Sequence, residues 1–171
     1  MATLASIYTS VNLKNLSKDI FLDFKIPSGR GDISSLKIYN KNIFLVDETY
    51  NSNPLSLKVA IENYDRIETK NSEKYLILGD MLELGKHSLK QHKSISKIIN
   101  KTEINKVFVI GKYIKKTFEG LKENKKAGIL SKKKDIIKLI KNNLNNNDYL
   151  MIKGSNATGL NNFSKKMIKG I

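Results

Sequence analysis

Four short polar segments hold the residue types in this chain that do chemistry: GRG (29 to 31), DETYNSNP (47 to 54), GDMLELG (79 to 85) and KGSNATG (153 to 159). Arg30 lies between two glycines, which leaves an anion room to approach the backbone beside a planar guanidinium; a plain turn with an exposed Arg is the alternative. Asp47 can accept hydrogen bonds from a sugar hydroxyl or orient a cation, and Asn51 and Asn53 offer amide groups beside a positive helix terminus. The same stretch also spells an Asx turn and an N-cap, with Pro54 at the first helical position. Asp80 and Glu83 can face a metal or a substrate amine, or cap a loop. Lys153, Gly154 and Ser155 suit a phosphate or carboxylate, but not in Walker order, and GxxxxGK[ST] occurs nowhere in the chain.

Other catalytic sets are harder to assemble. The two histidines, His87 and His92, are five residues apart, about 140° around a helix, unlike the i, i+4 pair of a helical zinc site. No cysteine is present, which removes disulfides, thiol nucleophiles and Cys-ligated zinc and suits a reducing compartment. No nucleophile elbow or Ser-His-Asp order can be read.

Around these segments the chain alternates regularly. Short apolar runs predict buried strands over 42 to 48, 74 to 80, 105 to 111, 127 to 130 and 148 to 154. Between and after them lie helical patterns: PLSLKVAIENYDRI, with Leu57, Ala60, Ile61, Tyr64 and Ile67 on one face, then HSLKQHKSISKIIN, KYIKKTFEGL, SKKKDIIKLIKNNL and TGLNNFSKKMIKG. Strands apolar on both faces and separated by helices predict an open, doubly wound α/β fold: a mostly parallel sheet with helices on both faces. In such a sheet ligands gather at the carboxyl ends of the strands, where three of the four polar segments fall. Residues 1 to 28 do not share the alternation. Leu4, Ile7, Tyr8 and Val11, then Leu16, Ile20, Leu22 and Phe24, predict one or two helices belonging against something else.

Composition narrows the partners. The formal net charge is +15, from 31 Lys+Arg against 16 Asp+Glu. Yet Arg30 and Arg66 are the only arginines, and Arg is the residue suited to bidentate base and phosphate contacts. The lysines interleave with Ile and Leu at helical spacing, as on a solvated face, so nucleic acid is not expected as a partner. No window approaches the roughly 18 apolar residues of a membrane span, and the N-terminus has no signal-peptide pattern. A cytoplasmic protein without a membrane span is the expectation.

In order and spacing, GRG, DETYNSNPLSLKVAI, YLILGDMLELGKHS and YLMIKGSNATGL resemble the C-terminal domain of the Mur ligases, a Rossmann-like domain. The YNxNP and GDMLELG elements are most similar to the branch of that family that adds D-alanyl-D-alanine; the alternatives are a sister ligase adding another amino acid and a non-catalytic nucleotide-binding module. The resemblance implies peptidoglycan-precursor synthesis with ATP and Mg2+. The terminal carboxylate of a UDP-N-acetylmuramoyl tripeptide is activated as an acyl phosphate, and the dipeptide's amine attacks it. It implies residues 29 to 171 as the C-terminal domain and 1 to 28 as the last helices of a central ATPase domain. By position, Arg30 and Asp47 match the family's phosphate-side and ribose-side nucleotide contacts, and Tyr50, Asn51 and Asn53 its loop beside the nucleotide. Asp80, Glu83, Lys153 and Ser155 match motifs facing the cleft where the amine substrate sits, with no individual roles assigned. Asn156 stands where many members have Arg, and Ala157 where Gly is frequent. The UDP-sugar-binding domain and the central domain with its phosphate loop, which would hold most of the Mg2+ ligands, have no counterpart in the sequence. The chain alone is therefore expected to be inactive, as a fragment, a split-gene subunit or a remnant, with those domains as its partners.

Overall fold

Strand formation follows the apolar runs. A computed structural model describes residues 28–170, and in it six strands form one sheet in the order β1-β2-β6-β3-β4-β5. They are β1 (Asp32–Ile38), β2 (Lys41–Glu48), β3 (Lys74–Gly79), β4 (Lys106–Ile110), β5 (Lys126–Ile129) and β6 (Tyr149–Lys153). Every neighbouring pair is parallel except β1 with β2, which is antiparallel. Five strands match the expected ones to within two residues at each end. β1 is the addition. It buries only Leu36 and leaves Ile33 exposed, so its sequence lacks the apolar run that marks the interior strands. Its hairpin to β2 turns on Tyr39 and Asn40, both at positive φ (51° and 61°), as a two-residue type I′ turn requires. The helices expected within residues 1 to 28 fall, but for Ser28, outside the described residues.

The helices are α1 (Pro54–Asp65), α2 (Ser88–Ile99), α3 (Lys115–Glu119), α4 (Asp135–Asn143) and α5 (Leu160–Ile168). α1 starts where its sequence says it should. The Asn53 side chain accepts from Ser56 N, the Ser56 hydroxyl accepts from Asn53 N, and Pro54 occupies the first turn. α3 is shorter than its ten-residue pattern, because residues 112 to 114 are folded around the Asp80 carboxylate instead of forming a first turn of helix.

Strand alternation sends side chains into two cores. On one face Val46, Leu76, Leu78, Val109 and Met151 pack with Leu57 and Ile61 of α1 and Ile95 and Ile99 of α2. On the other, Ile43, Leu45, Ile77, Leu150 and Ile152 pack with Ile136 and Ile140 of α4 and Met167 of α5. Each fully buried Leu or Ile contributes about 1.5–3 kcal/mol, so a sheet covered on both sides holds its carboxyl edge rigid. The sheet is open and doubly wound, with α1, α2 and α3 on one face and α4 and α5 on the other. The loops leaving β3 and β6, which are neighbours, lead to helices on opposite faces, and such a divergence opens a crevice between them. No described helix is long and apolar enough to cross a membrane.

Candidate functional site

Because β1 runs antiparallel, its beginning lies beside the ends of the parallel strands. Asp32 is registered with Asp47, Gly31 N donates to the Asp47 carbonyl at 2.8 Å, and Tyr50 N donates to the Gly29 carbonyl at 3.0 Å. This is how GRG, far from the strand ends in sequence, joins them in space. Gly29 has φ +86°, and a Cβ there would sit 2.9 Å from Tyr50 N, so the turn closes on Tyr50 only with glycine. Arg30 is exposed, its guanidinium carbon 4.1 Å from the centroid of the Tyr50 ring, a cation–π contact that holds the fork in place.

Asp47 itself is only 1% exposed, with Oδ1 accepting from Thr49 N (3.0 Å) and Thr49 Oγ1 (2.5 Å). The Asx turn and the N-cap are therefore both present in DETYNSNP. Between them Tyr50 and Asn51 remain exposed, Asn51 Oδ1 accepting from Ser52 N at 2.8 Å. Asn53 spends its carbonyl oxygen on the cap and stays exposed.

The other predicted residues divide into buried ties and exposed groups. Lys153 is 3% exposed, and its ammonium donates to Asn51 O (2.9 Å), Glu48 Oε2 (3.1 Å) and Glu48 O (3.4 Å). Ser155, also buried, donates to Ser52 O at 3.1 Å and accepts from Leu82 N at 2.9 Å, while its own N donates to Asp80 O. These two residues bind the loops after β2, β3 and β6 into one edge. Asp80 accepts from Lys112 N, Tyr113 N and Ile114 N at 2.9, 2.9 and 2.7 Å and so caps the start of α3. Gly111, φ +143°, allows this, since a Cβ there would fall 2.6 Å from the carboxylate. Glu83 is exposed at positive φ (65°).

Several contributors escape the sequence patterns. His92 is fully buried, its Nε2 accepting from Met81 N at 3.0 Å and its Nδ1 2.7 Å from the Ser88 carbonyl. A backbone N–H can only donate, so Nε2 is the acceptor here, and the ring pins the chain just after β3. His87 lies exposed in the preceding turn. Thr49 and Glu48 serve Asp47 and Lys153, and nothing in their types announced it.

Three clefts run along this edge. One, of about 540 Å³, has Arg30, Glu48, Tyr50, Asn53 and Lys153 in its wall. The next, about 530 Å³, is lined by Tyr50, Asn51, Glu83, Ser155 and Asn156. The third, about 500 Å³, is lined by Asp80, Ile110, Lys132, Lys133 and Leu160. The first two share Tyr50 and Asn51, and the last two share Leu82 and Ala157, so they form one groove. All nine predicted site residues come to this edge. Among the described residues no group of three or more His, Cys, Asp or Glu side chains comes together as a metal-binding set.

An open, mostly parallel sheet flanked by helices on both faces, with a groove at its carboxyl edge, defines a domain of the doubly wound α/β class. The chain belongs to the Mur ligase, glutamate ligase domain family, whose model matches residues 36–156. It is 32% identical over 133 residues to the UDP-N-acetylmuramoyl-tripeptide--D-alanyl-D-alanine ligase of Bacillus subtilis, covering 76% of this chain and 29% of that protein. The Rickettsia prowazekii ligase of the same name is 29% identical over 164 residues, 91% of this chain and 35% of that one. Among solved structures, a MurF ligase from Thermotoga maritima in complex with ADP superposes with a TM-score of 0.69 at 21% identity, over 98% of this chain and 36% of that one. The chain thus spans about a third of the length of the proteins it matches.

Proposed function

We propose that the chain is the C-terminal portion of an ATP-dependent amide-forming ligase that joins D-alanyl-D-alanine to a UDP-N-acetylmuramoyl tripeptide, in the cytoplasm, and that it is inactive without the preceding domains. The observation that carries this reading is the groove, which gathers all four sequence motifs at one edge in a chain whose relatives bear that ligase name.

Bound nucleotide would supply the phosphoryl group that activates the tripeptide's terminal carboxylate. The residues at one end of the groove fit a nucleotide. The GRG turn brings backbone to the surface, Arg30 presents a guanidinium already oriented by Tyr50, and Asn51 and Asn53 flank it at the start of α1. Arg30 would pair with phosphate oxygens through its planar fork, and Asp47 would serve the ribose side from within its turn. Magnesium finds no ligand set among the described residues, so no step on this chain is routed through it.

The buried ties do their work by positioning. Lys153 and Ser155 fix the loops that carry Asn51 and Leu82, and Asp80 fixes the loop after β4, so the groove closes over its ligands as a unit. Closure excludes water from an activated carboxylate, whose hydrolysis would waste it. Glu83, exposed in the cleft it shares with Tyr50 and Asn51, is the acid that would face the incoming amine.

A chimera tests the proposal: this chain in place of the corresponding third of the Bacillus subtilis protein. Phosphate release that requires both the UDP-muramoyl tripeptide and D-alanyl-D-alanine is the expected result. A folded chimera that ligates another amino acid in preference to the dipeptide, or nothing, would remove it.

A further inference from the structure

Lys125 has no part in the groove. It lies at the opposite, amino edge of the sheet, in the turn just before β5, and is only 7% exposed. Its Nζ donates to the carbonyls of Thr102 (2.7 Å) and Ile104 (2.6 Å), in the segment that leads into β4. No ion pair joins it to a carboxylate among the described residues. An ammonium brings three N–H donors and would bury one of them without an acceptor, whereas a neutral amine brings two, which these carbonyls satisfy. The hydrogen bonds therefore suit the amine, with its lone pair left over.

The surroundings act in the same direction. Burial lowers the pKa of Lys125, with Glu103 and Asp65 opposing the shift and Lys122 adding to it. Lys125 also lines a cleft of about 280 Å³ together with Glu73, Glu103, Asn105, Lys106 and Asn124. Of the two acids, Glu73 accepts from the Tyr75 hydroxyl at 2.7 Å, and Glu103 stands exposed. Lys106 Nζ donates to Asn124 O at 3.0 Å and keeps two donors for an anion. A buried amine and a partly free cation thus share a space that takes only a small molecule.

We infer that Lys125 is a nucleophile acylated by small acyl phosphates, Lys106 holding the phosphoryl end in the cleft. The Nζ lone pair attacks the acyl carbon, the C–O bond to phosphate breaks, and the phosphate leaves with the proton that Nζ sheds, so an amide forms with no further reactant. The product keeps one N–H and no charge, and one of the Thr102 and Ile104 carbonyls loses its donor. Those carbonyls belong to the segment whose Asn105 is tied to Lys74 at the start of β3, its N donating to Lys74 O (3.0 Å) and its Oδ1 accepting from Lys74 N (2.8 Å). Acylation therefore loosens the amino edge of the sheet, and it does so independently of the ligase reading.

The test is an incubation of the 171-residue chain with acetyl phosphate at neutral pH, each lysine being followed by mass spectrometry of its peptides. Lys125 is expected to acetylate faster than the exposed Lys93 and Lys138, by about threefold or more, as a lysine activated by desolvation does. That lead should vanish in concentrated urea, where no fold buries the side chain, and Lys106→Gln should slow acetylation at Lys125 while leaving Lys93 and Lys138 unchanged. Lys125 acetylating no faster than those two, a lead that survives urea, or an unchanged rate at Lys125 in Lys106→Gln would each overturn the inference.

Discussion

Asp80 shows how much a single side chain holds at this edge. Three backbone N–H groups donate to it, one of these bonds buried and two part-buried. Asp80→Ala should therefore destabilise the domain by about 2–4 kcal/mol, since each orphaned donor carries a desolvation penalty. Urea unfolding measures it, and a change under about 0.5 kcal/mol, the range of a neutral surface substitution, would show that the cap is dispensable. Unlike that cap, whose partners lie 32 to 34 residues away, strictly local roles were legible in sequence. The Asx turn at Asp47 and the cap at Asn53 use partners two and three residues away, so the pattern contains both halves of the interaction. The ties of Lys153 and Ser155 were not, because their partners in the loops after β2 are more than a hundred residues distant and chosen by the sheet. His92 is likewise invisible in sequence: its acceptor role exists only once α2 lies beneath Met81.

Among the elements, the interior strands announced themselves and the edge strand did not, for one physical reason. An interior strand of a parallel sheet is apolar on both faces, while β1 buries little beyond Leu36 and needs no apolar run. Its hairpin was hidden too, since Tyr39-Asn40 is far from the Asn-Gly pair that favours positive φ at both positions. That mismatch is correctable. Tyr39→Asn with Asn40→Gly should stabilise the domain by about 0.5–1 kcal/mol and raise Tm by a few degrees, read by thermal unfolding. A fall in Tm would mean that the 5.4 Å contact between Lys141 and the Tyr39 ring outweighs the turn. The consequence for the site is direct, because the antiparallel course of β1 is what carries Arg30 to Tyr50.

At the scale of the whole molecule, burial sets the response to pH. The Tyr64 hydroxyl, donating to the Tyr75 carbonyl, has its pKa raised well above 10.0 chiefly by burial, and Tyr75 is raised by burial and then by Glu73. The folded state keeps these protons where the unfolded chain releases them, so their stabilisation is intact below pH 10 and lost as pH rises beyond it. Lys125, lowered by burial while donating to Thr102 O and Ile104 O, acts with the opposite sign: its penalty is present at neutral pH and relieved as pH climbs toward 10.5. Tyr64→Phe and Tyr75→Phe should each flatten the loss of stability above pH 10, and an alkaline limb unchanged in both would refute the assignment. Fold class and the placement of three of the four motifs at the strand ends could be read from the alternation of strands and helices alone, whereas GRG joins them only through the antiparallel β1. The continuity of the groove, and the lysines at its far end, required the strand order.

The central claim is that this edge is half of a nucleotide cleft, and Arg30 in the active chimera tests it most directly. Its guanidinium is exposed and lies over the Tyr50 ring, so Arg30→Ala should leave Tm unchanged within a degree or so. The prediction is a rise of about tenfold in KM for ATP, the loss of one bidentate phosphate contact, with KM for D-alanyl-D-alanine unmoved. An unchanged KM for ATP in a folded, ligating protein would contradict the account.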